Sequence, residues 1–271
     1  MVRLDRALQL NLDPKSSHSV KGKPMRHMVM ALLIGLAAFA AVPARADTII
    51  LDYPGFTLWY DCAIGGAVAA RYEIGPDTGS LERDHAFFLD ENLPDDCKGQ
   101  VSTDTYASVP NAPDDYDLGH LVPANHLDDR KDAIAASNVM TNITPQQSSF
   151  NRTGAWRKTE KLIECWRDET DKGPLIIWIA VVWGTDASND HFIQSHGIVT
   201  PDRFMKLVYR PVTGDAVAWD FPNAKIRSGD TSNYLTTPAE VIKALGVPLH
   251  LGGIDIDKKT TTWPDPGCDQ G

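Results

Sequence analysis

The chain has 271 residues, with 26 Lys and Arg against 36 Asp and Glu, a formal net charge of −10. Acidity of this size argues against a tight, indiscriminate binder of nucleic acid, because backbone affinity comes from Lys and Arg that displace counterions. A local basic patch or a bound cation would have to offset that field, and the length suits one sizeable domain.

The first segment reads as an address. Arg26 and His27 precede an apolar run from about Met28 to Val42, followed by Ala44-Arg45-Ala46. A basic start, a short apolar core and a small-x-small site are the order of a secretory signal. The run is too short to span a bilayer comfortably. Residues before Met25 look like an over-long start. Cleavage is expected after Ala46, leaving residues 47–271 as a single domain, secreted or periplasmic, with no membrane attachment. The leader carries seven cations against Asp5 and Asp13, so the remainder would move from −10 to about −15.

Strand signals follow. "TIILDY", "FTLWY" and "GAVAARYEI" are rich in β-branched and aromatic residues. Next, "YDLGHLVPANH" reads as a strand carrying His120, and a polar, turn-rich stretch after it reads mostly as loop, with one helical turn around Asp132–Ala136. "AWRKTEKLIECWRDE" holds no Gly or Pro, and Trp156, Thr159, Ile163 and Trp166 share one helical face. Arg157, Lys158, Lys161 and Glu164 lie elsewhere on that helix, with Glu164 read as part of an acidic surface. "PLIIWIAVVWG" is a continuous apolar run suited to a buried central strand. "FMKLVYRPVTGDAVAWDF" reads as a hairpin turning at Thr213-Gly214-Asp215. "TPAEVIKALG" is a capped helix, with Thr237 as N-cap, Pro238 at N1 and Gly246 as the stop.

The four cysteines, Cys62, Cys97, Cys165 and Cys268, all follow the leader. In an exported chain an even count suggests two disulfides, with three pairings open. Sequence separation favours Cys62–Cys97 and Cys165–Cys268. No C-x-x-C is present, which argues against zinc.

One ordered set of residues carries chemistry. "DLGHLVPANH", then "SNVMTNITPQQSSFN", then "GAWRKTE" resembles the DNA/RNA non-specific endonucleases, the ββα-metal family of sugar-non-specific secreted nucleases and endonuclease G. "ERDHAFFLDENLP" upstream and "TPDRFMKLVYRP" with "YLTTPAEVIKALGVPL" downstream extend the likeness from about Leu51 to Leu251. The resemblance implies an α+β, ββα-metal (His-Me finger) fold with a central antiparallel sheet and helices packed on it. It implies hydrolysis of phosphodiesters in DNA and RNA, leaving 5′-phosphate ends, with one Mg²⁺ or Mn²⁺ ion. By the same resemblance His120 is the general base, Asn151 the metal ligand and Glu160 the holder of the metal's waters. Arg83 is the phosphate clamp and Asn142 a supporting polar contact. An inhibitor protein is a further partner class.

A neutral imidazole suits a water-activating base, and oxygen ligands with retained waters suit Mg²⁺. The chain departs from the family pattern twice. Leu118 stands where the family has Arg, with Arg130, Lys131 or Arg152 as candidate substitutes. Four residues rather than three separate Asn151 from Trp156, an insertion that an irregular turn at Thr153-Gly154 would absorb. These departures motivate the alternative of a catalytically impaired relative that binds nucleic acid or a protein.

Overall fold

The computed structural model describes residues 48–83, 85–110, 115–247, 249 and 251–260. The leader, its cleavage site and Cys268 lie outside them. Three N-terminal strands, β1 (Thr48–Tyr53), β2 (Phe56–Asp61) and β3 (Gly66–Ile74), form an antiparallel meander. β6 (Leu175–Val182), β7 (Arg203–Arg210), β8 (Asp215–Pro222) and β9 (Leu235–Thr236) complete a sheet of seven strands. Its order is β1-β2-β3-β6-β7-β8-β9, so the apolar run of β6 occupies the middle position. Both faces of β6 are covered, which is why its sequence does not alternate. Ile177, Ile179 and Val181 join one core, while Trp178 and Ala180 join a second core on the opposite face. The β7–β8 hairpin turns on Gly214, whose φ of 75° lies in the left-handed region.

The second core is closed by α5 (Pro238–Leu245), which buries Val241 and Leu245. Its ends follow the expected chemistry. Thr237 Oγ1 accepts from the Glu240 amide at 3.3 Å, and Gly246 ends the helix at φ 65°. Among the described residues, no helix is long and apolar enough to cross a membrane.

The first core is roofed by α3 (Ala155–Arg167). Trp156, Thr159, Ile163 and Trp166 are all fully buried, as the spacing requires. Trp156 meets Phe204 of β7 and Trp166 stacks on Trp219 of β8, which fixes the helix on the sheet. Glu164 departs from expectation. It is 8% exposed, and its carboxylate lies among Asn125, His126 and Arg157.

The segment between β3 and α3 builds a separate unit. β4 (Tyr116–His120) pairs antiparallel with β5 (Ile143–Gln147), and α1 (Lys131–Ala136) supplies the helical turn expected there. β5 falls in the stretch read as loop. Its Gln and Pro content hides it, and Pro145, opposite Leu118, has no amide to donate to the ladder. Gly119 is required by close approach, because a Cβ there would lie 2.4 Å from Gln146 Oε1. After β5 comes α2 (Ser148–Arg152), then α3, so the chain runs strand, strand, helix as the resemblance implied.

The Cys62–Cys97 disulfide is formed, tying the end of the β2–β3 hairpin to a loop 35 residues on. The remaining expected pair involves Cys268, which lies outside the described residues. The short α4 (Ile193–His196) packs beside this region, where the Val101 amide donates to His196 O.

Candidate active site

A cleft of about 750 Å³ opens where β4, α2 and α3 meet. His120, Arg83, Asn151 and Glu160 all line it, with Asp117, Leu118, Asn125, Arg152 and Arg157. Four of the five residues chosen from sequence are therefore brought together. The fifth, Asn142, does not line the cleft. It is fully buried, donates from Nδ2 to Ser137 O and Val122 O at 2.8 and 2.9 Å, and accepts from the Val122 amide at 3.0 Å. Its backbone carbonyl also accepts from the Leu121 amide. Asn142 thus braces the chain that leaves His120.

His120 ends β4 and is 8% exposed. Its Nε2 lies 3.0 Å from Oδ1 of Asn138. A carbonyl oxygen can only accept, so Nε2 carries the hydrogen and Nδ1 keeps the lone pair. Burial, with the Arg83 cation nearby, lowers the imidazole pKa from 6.5 to about 4, against an opposing pull from the Asn138 bond. The ring is therefore neutral at pH 7 and able to take a proton. Phe87 packs at 5.6 Å between ring centroids. Its neighbour Phe88 holds the Asn138 segment through backbone bonds to Asn138 and Met140, so the upstream aromatic pair sets His120 and its partner in one step.

Asn151 sits on α2, half-buried, and donates from Nδ2 to Asp117 Oδ2 at 3.0 Å. Its carbonyl Oδ1 is the group it can offer to a cation. The Arg152 guanidinium also grips Asp117, through Nε at 2.9 Å and through Nη2. The extra residue in the Asn151–Trp156 spacing is taken up by a break. α2 ends at Arg152, and Gly154 pairs with Arg227 before α3 begins. A Cβ at Gly154 would lie 2.2 Å from Ile226 O, so glycine is what lets the chain turn there.

Glu160 is 6% exposed and receives Arg157 Nη1 at 3.2 Å. The same Nη1 reaches Glu164 at 3.2 Å. Burial raises the Glu164 carboxyl, but hydrogen bonding and charge from His126, with Arg157 and Asn125, hold it down at about 2. The second histidine of the motif, His126, is structural: Nδ1 meets the Tyr72 hydroxyl at 2.9 Å and Nε2 faces Glu160 O at 3.3 Å.

The donor set fits a hard, well-hydrated cation. The Asn151 carbonyl and the Glu160 carboxylate, both oxygen donors, line the cleft beside Asp117 and Asn125. No group of three or more His, Cys, Asp or Glu converges among the described residues. A cation held here would keep most of its water.

Residues 39–254 match the family model described as DNA/RNA non-specific endonuclease. The chain belongs to that family. The search of curated proteins returned no match. Among solved structures, a chain of the crystal structure of the EndoG/EndoGI complex, described as giving the mechanism of EndoG inhibition, is similar with a TM-score of 0.60 at 16% identity. The match covers 79% of this chain and 94% of that one, and it establishes the ββα-metal fold. Non-specific nuclease activity on DNA and RNA and dependence on a divalent metal are properties of this family.

Within this family member, Leu118 leaves the cleft one arginine short. Of the three substitutes suggested by sequence, Arg152 lines the cleft, while Arg130 faces a different pocket beside Gly55. Arg157, not among them, also lines the cleft. Sequence reasoning missed Arg157 because it sits on a helix face that reads as solvated, and it missed Asp117 although the residue lies inside the His motif.

Proposed function

We propose that the protein is an exported endonuclease that hydrolyses phosphodiester bonds of DNA and RNA, with His120 as general base and one Mg²⁺ ion held at Asn151. The observation that carries this reading is the meeting of a neutral, Asn-oriented imidazole with Asn151, Glu160 and Arg83 in one cleft. The lone pair of His120 Nδ1 accepts a proton from the attacking water. The water oxygen bonds to phosphorus as the bond to the 3′ oxygen breaks, leaving a 5′-phosphate end. A bound Mg²⁺ supplies stabilisation of the charge that develops on the leaving oxygen. Asn151 would be its direct ligand, with Glu160 orienting the surrounding water. Arg83, and Arg157 in the place left by Leu118, hold the phosphate oxygens. Contacts to phosphate and metal carry no base identity, so such a site would be indifferent to sequence and sugar.

The leader and the Cys62–Cys97 bond support export to an oxidising compartment. An inhibitor protein that covers the cleft is the partner class this reading carries. Leu118 favours a second reading, a binding module with little turnover. Purified residues 47–271 decide between the two on plasmid DNA and on RNA, with Mg²⁺ or with chelator, beside His120→Ala. Metal-dependent cleavage of both substrates, lost in the variant, supports the enzyme. A folded sample that shifts nucleic acid on a gel without cutting it supports the module.

A further inference from the structure

Beside the catalytic cleft lies a second groove, lined by Arg152, Thr153, Arg157, Lys158, Lys161, Ser228 and Gly229. Four of these seven residues are cationic and none is acidic, in a protein of net charge −10. Arg157, Lys158 and Lys161 are spaced i, i+1 and i+4, so they crowd one side of α3. Like charges one helical turn apart oppose helix stability by a few tenths of a kcal/mol per pair. Glu160 and Glu164 offset Arg157 in part, and Asp117 offsets Arg152; an anion lying over the groove would relieve the crowding that remains. The groove is continuous with the cleft, because Arg152 and Arg157 line both. Its far wall is formed by Ser228 and Gly229, which open the 3-10 helix Ser228–Tyr234, with open space over Gly229.

We propose that this groove is a track for the sugar–phosphate backbone of the substrate strand, on one side of the phosphodiester that is cut. The inference rests on the nuclease reading and adds to it where the polymer runs. Arg157 marks the junction. Glu160 and Glu164 grip its Nη1, which aims the planar cation at the boundary between the two spaces. The next phosphates along the strand meet Lys158, beside Arg157, and Lys161, one turn or about 6 Å further along the helix. Contacts of this kind add affinity for any polynucleotide and little for a small diester, because a small diester does not reach past Arg157.

The test uses Lys158→Ala/Lys161→Ala and Gly229→Asp, none of which alters a residue of the catalytic cleft. Gly229 is open, since a Cβ there meets nothing within 4 Å, so the aspartate adds charge without a clash. Binding of a labelled single-stranded 20-mer is followed by fluorescence anisotropy in EDTA, on the His120→Ala background, across a salt series. Two lost phosphate contacts should lower the log–log salt slope by about 1.4 and weaken binding about 10-fold. Gly229→Asp should weaken binding several-fold, whereas Lys243→Ala on α5 should change nothing. With His120 intact, kcat/KM on long DNA should fall in step while turnover of bis(p-nitrophenyl) phosphate stays constant. An unchanged slope, or equal loss on the small diester, overturns the track. A wild-type protein that cuts nothing would remove the nuclease reading, and the binding series would still decide the groove. If the double variant fails to fold, Gly229→Asp decides alone.

Discussion

His120 and Asn138, eighteen residues apart in the chain, meet at 3.0 Å with the ring nitrogen donating and the amide oxygen accepting. That bond selects the tautomer with a bare Nδ1, and it orients the ring. On the proposed general-base role of His120, Asn138→Ala should lower kcat by about 10–100-fold, a part of the ~10²–10⁴-fold that a positioned base contributes, without preventing folding. Asn138→Asp should keep the orientation and add a negative charge, raising the His120 pKa. The pH–rate profile separates the two, because the aspartate variant alone should move its acid limb upward.

In the wild-type protein that acid limb should fall near pH 4 rather than 6.5. Burial and Arg83 hold the imidazole neutral down to about 4, and the protonated ring has no lone pair to accept the water proton. Stability carries the same signature. Between pH 6.5 and 4 the unfolded chain binds a proton that the native ring refuses, so stability drops as pH falls through that window, by about 3 kcal/mol in all. His120→Asn should remove this slope, which urea midpoints at pH 7 and pH 4.5 will show.

The elements with strong periodicity were legible from sequence, and so was the chemistry tied to a motif. α3, α5, β6 and the β7–β8 hairpin announce themselves through apolar spacing and caps. β5 does not, because "ITPQQ" has a proline and three polar residues, and it becomes a strand through pairing with β4. The site's supporting partners were the least visible. Asn138, Asp117 and Arg157 act through contacts that cross 18, 34 or a few residues, and no local pattern distinguishes them from turn formers or solvated charges. Glu164 illustrates the same limit: its carboxylate is buried because His126, Asn125 and Arg157 surround it, which only the tertiary fold arranges.

Asn151 and Asp117 predict a graded response to metal. Asn151→Ala removes the carbonyl proposed as the metal ligand and should lower activity by at least about 100-fold, in line with loss of one stabilising contact to transition-state charge. Asp117→Ala leaves that carbonyl but frees the amide that Asp117 holds at 3.0 Å. Its expected effect is about 10-fold, mostly as a higher Mg²⁺ requirement. Mg²⁺ titrations of the three proteins, with chelator as the zero point, measure both. Equal Mg²⁺ midpoints for all three would remove Asn151 from the metal site.

The Cys62–Cys97 bond closes a separation of 35 residues. Loop-closure entropy for that length corresponds to about 4 kcal/mol of stabilisation. Cys62→Ala/Cys97→Ala should lose most of it, read as a lower urea midpoint with a somewhat steeper slope, because the unlinked unfolded chain exposes more surface. Activity at low temperature should persist, because neither cysteine lines the cleft.

Lys206 is the least expected residue of the core. It projects from β7 with no exposure, its Nζ 2.8 Å from Thr159 Oγ1 and 3.5 Å above the Trp156 ring. Burial lowers its pKa to about 7, with Glu160 and Glu164 pulling upward and Arg157 pushing down. Between pH 7 and 10.5 the unfolded lysine holds a proton that the native one has lost, so stability should rise with pH across that range. Lys206→Met keeps the length and apolar stem, and Thr159 keeps a partner because its hydroxyl donates to Trp156 O at 2.7 Å. Removing a desolvated cation is worth several kcal/mol in principle, and the lost cation–π contact returns about 2. The net expectation at pH 7 is a gain of about 1–3 kcal/mol and loss of the rise toward pH 9. A destabilised variant would mean that the Trp156 and Thr159 contacts outweigh desolvation, and that the lysine is retained to pin α3, and with it Glu160, onto the sheet.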